Sequence, residues 1–82
     1  MTTPTLTEFM AAEDRRAALS YVIEAFTEAM LAGVDPSNLA HAALDAALQE
    51  LVGAWGEEAT ARFVSELPAR IRNGEFSFGS VH

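Results

Sequence analysis

The sequence contains no cysteine and no lysine in its 82 residues. Without cysteine the chain cannot build a disulfide framework or use thiolate chemistry, so nothing in it indicates an oxidising compartment. Its apolar runs are all shorter than the core of a signal peptide or a membrane span. We therefore expect a soluble, cytoplasmic protein.

Positive charge is scarce, because the basic residues are five arginines against twelve acids and the formal net charge is −7. Binding of nucleic acid requires cations that neutralise phosphates, and attraction to an anionic membrane surface requires them too. The composition therefore argues against both kinds of partner. Arg15 with Arg16, or Arg70 with Arg72, remain candidates for a local basic patch.

Signatures of catalysis and of cofactor binding are also missing. Ser20, Ser37 and Ser65 have no recognisable base beside them, and no glycine-rich loop follows a strand. His41 and Asp45 have the i, i+4 spacing of two metal ligands, but no third-ligand motif accompanies them. A partly buried histidine held by a carboxylate or a backbone carbonyl is the expected interpretation. We predict a protein that is not an enzyme, with no catalytic, cofactor or metal site.

Residues 35–55 are apolar almost all the way round and predict the central helix. Asp35 before Pro36 is typical of an N-cap followed by proline at the first helical position. Gly56 suits the left-handed conformation that ends a helix. The predicted core-facing side of this helix carries His41, Leu44, Leu48, Leu51, Val52 and Trp55.

The other side of the central helix carries a second apolar strip, made mostly of small side chains. This small-residue strip consists of Leu39, Ala42, Ala43, Ala46 and Gly53. A helix that is apolar on both sides is normally buried on both sides. We therefore expect the strip to face a second chain, where its small side chains permit close contact.

Residues 14–32 predict the first helix, with Gly33 just beyond its end. Its predicted core side, called here the first-helix stripe, consists of Leu19, Val22, Ile23, Phe26 and Met30. Ala25 and Ala29 belong to a set of small residues that widen the apolar arc beyond a single seam. They join the small-residue strip as candidate interface residues.

The segment before the predicted first helix allows more than one interpretation. Residues 1–5 are polar and are expected to be disordered. Thr5 and Glu8 have the spacing of a capping box, so a short helix can begin near Leu6. Leu6, Phe9 and Met10 would then lie on one side, roughly 130° from the first-helix stripe at about 100° per residue. Either the chain breaks within residues 11–14, or this early turn packs somewhere else.

A third helix is predicted from Glu57 or Glu58 as far as Asn73. Pro68 interrupts its apolar pattern, which predicts either a kinked helix or a new turn that starts at this proline. Residues 75–82 predict an extended tail. Alternation places Phe76 and Phe78 on one face of the tail, where they should pack on this chain or on a partner.

The predicted fold is all-α: a single domain over residues 1–82 that forms a small three-helix antiparallel bundle, with a short N-terminal turn as an optional fourth helix. The first functional hypothesis is a non-enzymatic interaction protein, homodimeric through the small-residue faces of its first two helices. The alternative is a small regulator that binds a basic protein partner through acidic helix surfaces and the tail with Phe76 and Phe78.

Overall fold

Four helices make up most of residues 5–77, the part of the chain that the computed structural model describes. They are α1 (Leu6–Leu31), α2 (Pro36–Trp55), α3 (Glu57–Val64) and α4 (Leu67–Arg72). The predicted all-α class is confirmed, since no strand occurs within residues 5–77. The contacts form two compact units, residues 1–41 and 42–82, with the boundary inside α2. The antiparallel arrangement of the helices stays a prediction.

In the first unit, α1 is one continuous helix of 26 residues and is therefore about 39 Å long. The predicted cap is confirmed: the Thr5 hydroxyl oxygen accepts a hydrogen bond from the Glu8 N–H at 3.2 Å. The predicted helix start at Asp14 is wrong, and the chain does not break within residues 11–14. Alanines there sustain the helix that Thr5 begins. Residues 1–4, which belong to the segment predicted to be disordered, lie outside the described range.

The link between α1 and α2 is fixed by two local motifs. Gly33 has a φ of 91°, and the N–H groups of Gly33 and Val34 donate to the carbonyls of Met30 and Ala29, which is a Schellman ending of α1. The Asp35 carboxylate then accepts hydrogen bonds from the N–H groups of Ser37 at 3.0 Å and Asn38 at 3.2 Å. The predicted end of the first helix and the predicted cap of the second are both confirmed.

The second unit contains the larger part of α2 together with α3 and α4. Gly56, with a φ of 86°, separates α2 from α3, as its sequence position predicted. Pro68 lies in the first turn of α4. Of the two predicted alternatives at this proline, the new helical turn is therefore observed and the kinked helix is not. The result is two short helices, of 8 and 6 residues, in place of one long one.

After α4 the chain enters a turn at Gly74, whose φ is 82°. The Glu75 N–H donates to the Arg70 carbonyl at 3.2 Å, and the Ser77 N–H donates to the Gly74 carbonyl at the same distance. The predicted extended tail therefore begins in a turn that folds back on α4. Residues 78–82, including Phe78, lie outside the described range.

Apolar side chains are open to solvent along both units. Thr60, which is 4% exposed, is the one buried residue among residues 5–77. Phe26, Leu48 and Leu51 are half-buried, whereas the other large side chains of the predicted core sides of the first two helices are exposed. The prediction that these sides are core-facing is therefore wrong for most of their residues. The amphipathic pattern located the apolar surface correctly but did not show what covers it.

Candidate interaction surface

The first-helix stripe is an exposed apolar face on α1. Four of its members are about half exposed: Leu19 is 58%, Val22 50%, Ile23 55% and Met30 47% exposed. Phe26 and the neighbouring Ala29 are half-buried, and Ala25 is exposed. Each half-exposed side chain of this size would contribute about 1 kcal/mol if it were fully covered. The stripe is therefore a surface from which association gains free energy.

A second apolar surface on α1, the N-terminal patch, is formed by Leu6, Phe9 and Met10. Their exposed fractions are 73%, 55% and 61%. Because α1 is continuous, the sequence-based angle holds, and the patch lies roughly 130° around the helix from the first-helix stripe. A single neighbouring helix covers one side of α1, so the patch and the stripe need different neighbours.

The small-residue strip of α2 is exposed at three of its five positions. Ala42, Ala46 and Gly53 are exposed, whereas Leu39 and Ala43 are half-buried. A Cβ atom added to Gly53 would meet nothing within 4 Å. Beside the strip lies a shallow, open depression lined by Asp45, Leu48, Gln49, Val52 and Gly53. The backbone of another helix could approach this part of α2 closely.

An aromatic pair joins the end of α2 to α3. The rings of Trp55 and Phe63 meet edge to face, with centroids 5.5 Å apart and an angle of 79° between the planes. Such pairs contribute about 0.5–1.5 kcal/mol beyond the area they bury. Trp55 is nevertheless 51% exposed. The pair therefore fixes α3 against α2 locally and leaves much of the indole surface open.

At the C-terminal end of the described range, Arg70 holds the turn that follows α4. Its Nε donates a hydrogen bond to Glu75 Oε1 at 3.1 Å, and its guanidinium carbon lies 5.1 Å from the centre of the Phe76 ring. The sequence indicates Phe76 as a candidate contact residue, but its contact with Arg70 was not predicted. The signal for it was a basic residue and an aromatic residue on either side of Gly74. Phe76 is still 54% exposed.

His41 and Asp45 have a different environment from the one expected. His41 is exposed, so the expected partial burial is wrong: its place on α2 is open to solvent. Asp45 is also exposed and borders the depression beside Gly53. Among residues 5–77, no three histidine, aspartate or glutamate side chains are grouped so that they could hold a metal ion.

Local ion pairs involve three of the arginines. Arg16 pairs with Glu13, Arg62 Nε lies 3.7 Å from Glu58 Oε1, and Arg70 pairs with Glu75. All these side chains are well exposed, so each pair contributes little to stability. The pairs lower the positive field at both candidate basic patches, since each patch contains one of these arginines.

Comparison with known protein families, with curated proteins and with solved structures found no match. None of the helices within residues 5–77 has the length and apolar content needed to cross a membrane.

Proposed function

We propose that this is a non-enzymatic interaction protein that works as a homodimer, in which a second copy covers the exposed apolar sides of α1 and α2. The observation that carries the proposal is the mismatch between helix lengths. α1 and α2 are about 39 and 30 Å long and are apolar on two sides, whereas α3 and α4 are only about 12 and 9 Å long.

Among residues 5–77, one copy of the chain contains only two long helices, so each of them has at most one other long helix to pack against. A second copy supplies another long neighbour for each, as in a four-helix arrangement built from two chains. In a two-fold dimer the same surface of both copies takes part, so apolar strips meet apolar strips. The proposal includes a cytoplasmic location, for which the lack of cysteine is the support.

The proposed interface combines three groups of residues. The small-residue strip, with Ala25 and Ala29 on α1, permits close approach of two backbones. The first-helix stripe contributes most of the apolar area. Phe76 remains a candidate at the edge of the interface, because its ring is still half exposed despite Arg70. Phe78 stays a candidate from the sequence alone.

A matched pair of substitutions on α2 tests this interface. Ala46 and Ala47 are consecutive and both exposed, but Ala47 points about 100° away from Ala46, outside the strip. We expect Ala46→Arg to raise the dimer dissociation constant at least about tenfold, because a long charged side chain prevents close contact. Ala47→Arg should change it by less than about threefold. Sedimentation equilibrium, with circular dichroism as a check on helix content, measures both.

Gly53→Ala adds a test in which the direction of the change in the dimer dissociation constant is informative. In one chain the added methyl meets no atom within 4 Å and favours the helix by about 1 kcal/mol. In a close helix contact the same methyl occupies space that the partner needs, so the dimer is weakened although the helix is favoured. A tighter dimer, or a wild-type chain that stays monomeric at high micromolar concentration in light scattering, contradicts the proposal.

The second candidate function is binding of a basic protein partner. It is favoured by the net charge of −7 and by the local pairing of three arginines with acids. Binding of this kind weakens as salt screens the charges, whereas the apolar dimer does not. A pull-down at low salt should recover one basic protein, which is lost at high salt or on truncation after Gly74. Recovery of no partner at low salt contradicts this function.

A further inference from the structure

We propose that Asn73 is a site of spontaneous deamidation, and that the turn after α4 controls the rate of this reaction. Asn73 is exposed and precedes Gly74, which has no side chain to shield its backbone nitrogen. The other asparagine of the sequence, Asn38, precedes the bulky Leu39. The site lies within one copy of the chain, so it does not depend on the proposed homodimer.

The reaction uses only this chain and water. The Gly74 backbone nitrogen loses its proton to a solvent base and attacks the side-chain carbonyl carbon, Cγ, of Asn73. A C–N bond forms, the bond from Cγ to Nδ2 breaks, and Nδ2 takes up a proton and leaves as ammonia. Water then opens the resulting succinimide ring at either carbonyl. The products are aspartate at position 73 or its isomer isoaspartate, in which the main chain runs through the former side chain.

In the folded turn, Asn73 is held in a conformation that does not react. Its ψ of −2° places the Gly74 nitrogen in line with the Asn73 backbone nitrogen about the Cα–C bond, whereas ring closure needs the Gly74 nitrogen in line with Cβ. The Gly74 N–H also donates a hydrogen bond to the Ile71 carbonyl at 3.1 Å. The reaction therefore requires the turn to open at Asn73.

Contacts of the backbone and of the Arg70 side chain hold the turn closed. The Glu75 N–H donates to the Arg70 carbonyl at 3.2 Å, which completes a Schellman ending of α4 around the positive φ of Gly74. The Arg70 side chain then contacts the Glu75 carboxylate and the Phe76 ring. These three side chains are partly exposed. Local contacts of this kind open without unfolding of the remaining chain.

Deamidation keeps the turn open once it has occurred. The new carboxylate lies at the C-terminal end of α4, where the helix dipole disfavours negative charge. Isoaspartate also adds one carbon to the main chain between positions 73 and 74. The added carbon disrupts the hydrogen bonds that Gly74 and Glu75 make to α4, because these bonds close across the lengthened segment. The product therefore releases Phe76 from its contact with Arg70.

Peptide mass spectrometry of the full-length protein, aged in mildly alkaline buffer, tests the proposal. Folded protein is compared with protein unfolded in guanidinium chloride. In the unfolded chain, Asn73 should react faster than Asn38, because the Leu39 side chain hinders attack by its own backbone nitrogen. Folding should slow the reaction at Asn73 at least about tenfold, since only the open turn reacts.

A matched pair of substitutions on α4 tests the role of the turn. Arg70→Ala should raise the rate at Asn73 in the folded protein about twofold to fivefold, because the open turn becomes more populated. Arg72→Ala removes the same charge from the last turn of α4, but Arg72 forms no ion pair within residues 5–77. Its rate should stay within about 1.5-fold of the wild type.

The possible failures separate the site from its control. An equal rise in the two arginine variants, or equal rates at Asn73 in folded and unfolded protein, overturns the control by the turn. Deamidation at Asn73 that is no faster than at Asn38 in the unfolded chain overturns the site itself.

Discussion

The thermal midpoint of this protein should fall when the protein is diluted. If a folded dimer unfolds to two separate chains, each tenfold dilution lowers the free energy of unfolding by about 1.4 kcal/mol per dimer. The size of the shift follows from the chain length. Two chains of 82 residues, at about 2.1 cal/mol/K per residue, have an unfolding entropy of roughly 340 cal/mol/K. The midpoint should therefore drop by about 4 °C for each tenfold dilution.

Circular dichroism at the helical band measures this shift directly, because α1 to α4 contain most of the described residues. A series over a hundredfold range of concentration should spread the midpoints by about 8 °C. The Ala46→Arg variant is the internal comparison. Its midpoints should be lower at every concentration, because the weakened interface contributes less to the free energy of unfolding.

One result would refute the reasoning. If the midpoint stays constant within about 1 °C over the whole range, unfolding does not involve dissociation. The exposed first-helix stripe and small-residue strip would then need no second copy for thermal stability. The difference in helix lengths would then give no support to a dimer, because α1 and α2 would be stable with the cover that one chain supplies.

Three local predictions can be checked by chemical denaturation at one fixed concentration. Thr5→Ala should lower the free energy of unfolding by about 1 kcal/mol through loss of the α1 cap, and Thr5→Ser should retain most of that stabilisation. Equal losses for the two variants would contradict the capping role of Thr5. Gly33→Ala should also lower the free energy of unfolding by about 1 kcal/mol. The cause is backbone strain at a φ of 91°, since the added Cβ would meet nothing within 4 Å. A variant that is more stable than the wild type would contradict this prediction. Arg70→Ala should lower the free energy of unfolding by less than about 1 kcal/mol, because the contacts of Arg70 with Glu75 and Phe76 are partly exposed. A larger loss would show that the turn after α4 stabilises other parts of the chain as well.

The ends of the helices were predictable because each depends on one residue and its near neighbours in sequence. Thr5 and Asp35 offer side-chain oxygens to the N–H groups of a first turn, and Gly33 and Gly56 take positive φ at low cost. These interactions span only a few residues. A sequence contains nearly all the information that they need.

The continuity of α1 was not predictable from the same sequence. The apolar pattern changes sides between Met10 and Leu19, and a change of side suggested a break in the helix. The pattern reports only which side of a helix is apolar, whereas backbone continuity depends on helix propensity. The alanine-rich residues between these two positions sustain the helix. Helix propensity therefore determines that α1 continues through this segment. The change of apolar side led to the wrong prediction that the first helix starts at Asp14.

The exposure of the candidate interface residues was predictable only in part, and their role as an interface stays a prediction. The small-residue strip was identified from the sequence, and Ala42, Ala46 and Gly53 are exposed, whereas Leu39 and Ala43 are half-buried. The first-helix stripe was assigned to the core, and its exposure became visible only in the structure. Periodicity cannot distinguish a side that faces its own chain from a side that faces another, because both lose the same contact with water.

The split at Pro68 bears on the proposed association of two copies of the chain. Without the split, residues 57–72 would form one helix about 24 Å long, nearly as long as α2 and able to lie along much of it. With the split, α3 and α4 have 8 and 6 residues, and neither can cover more than two turns or so of a neighbour. α3 and α4 are therefore too short to cover the apolar sides of α1 and α2 along their length. In the proposed dimer, the two long helices of a second copy meet that need.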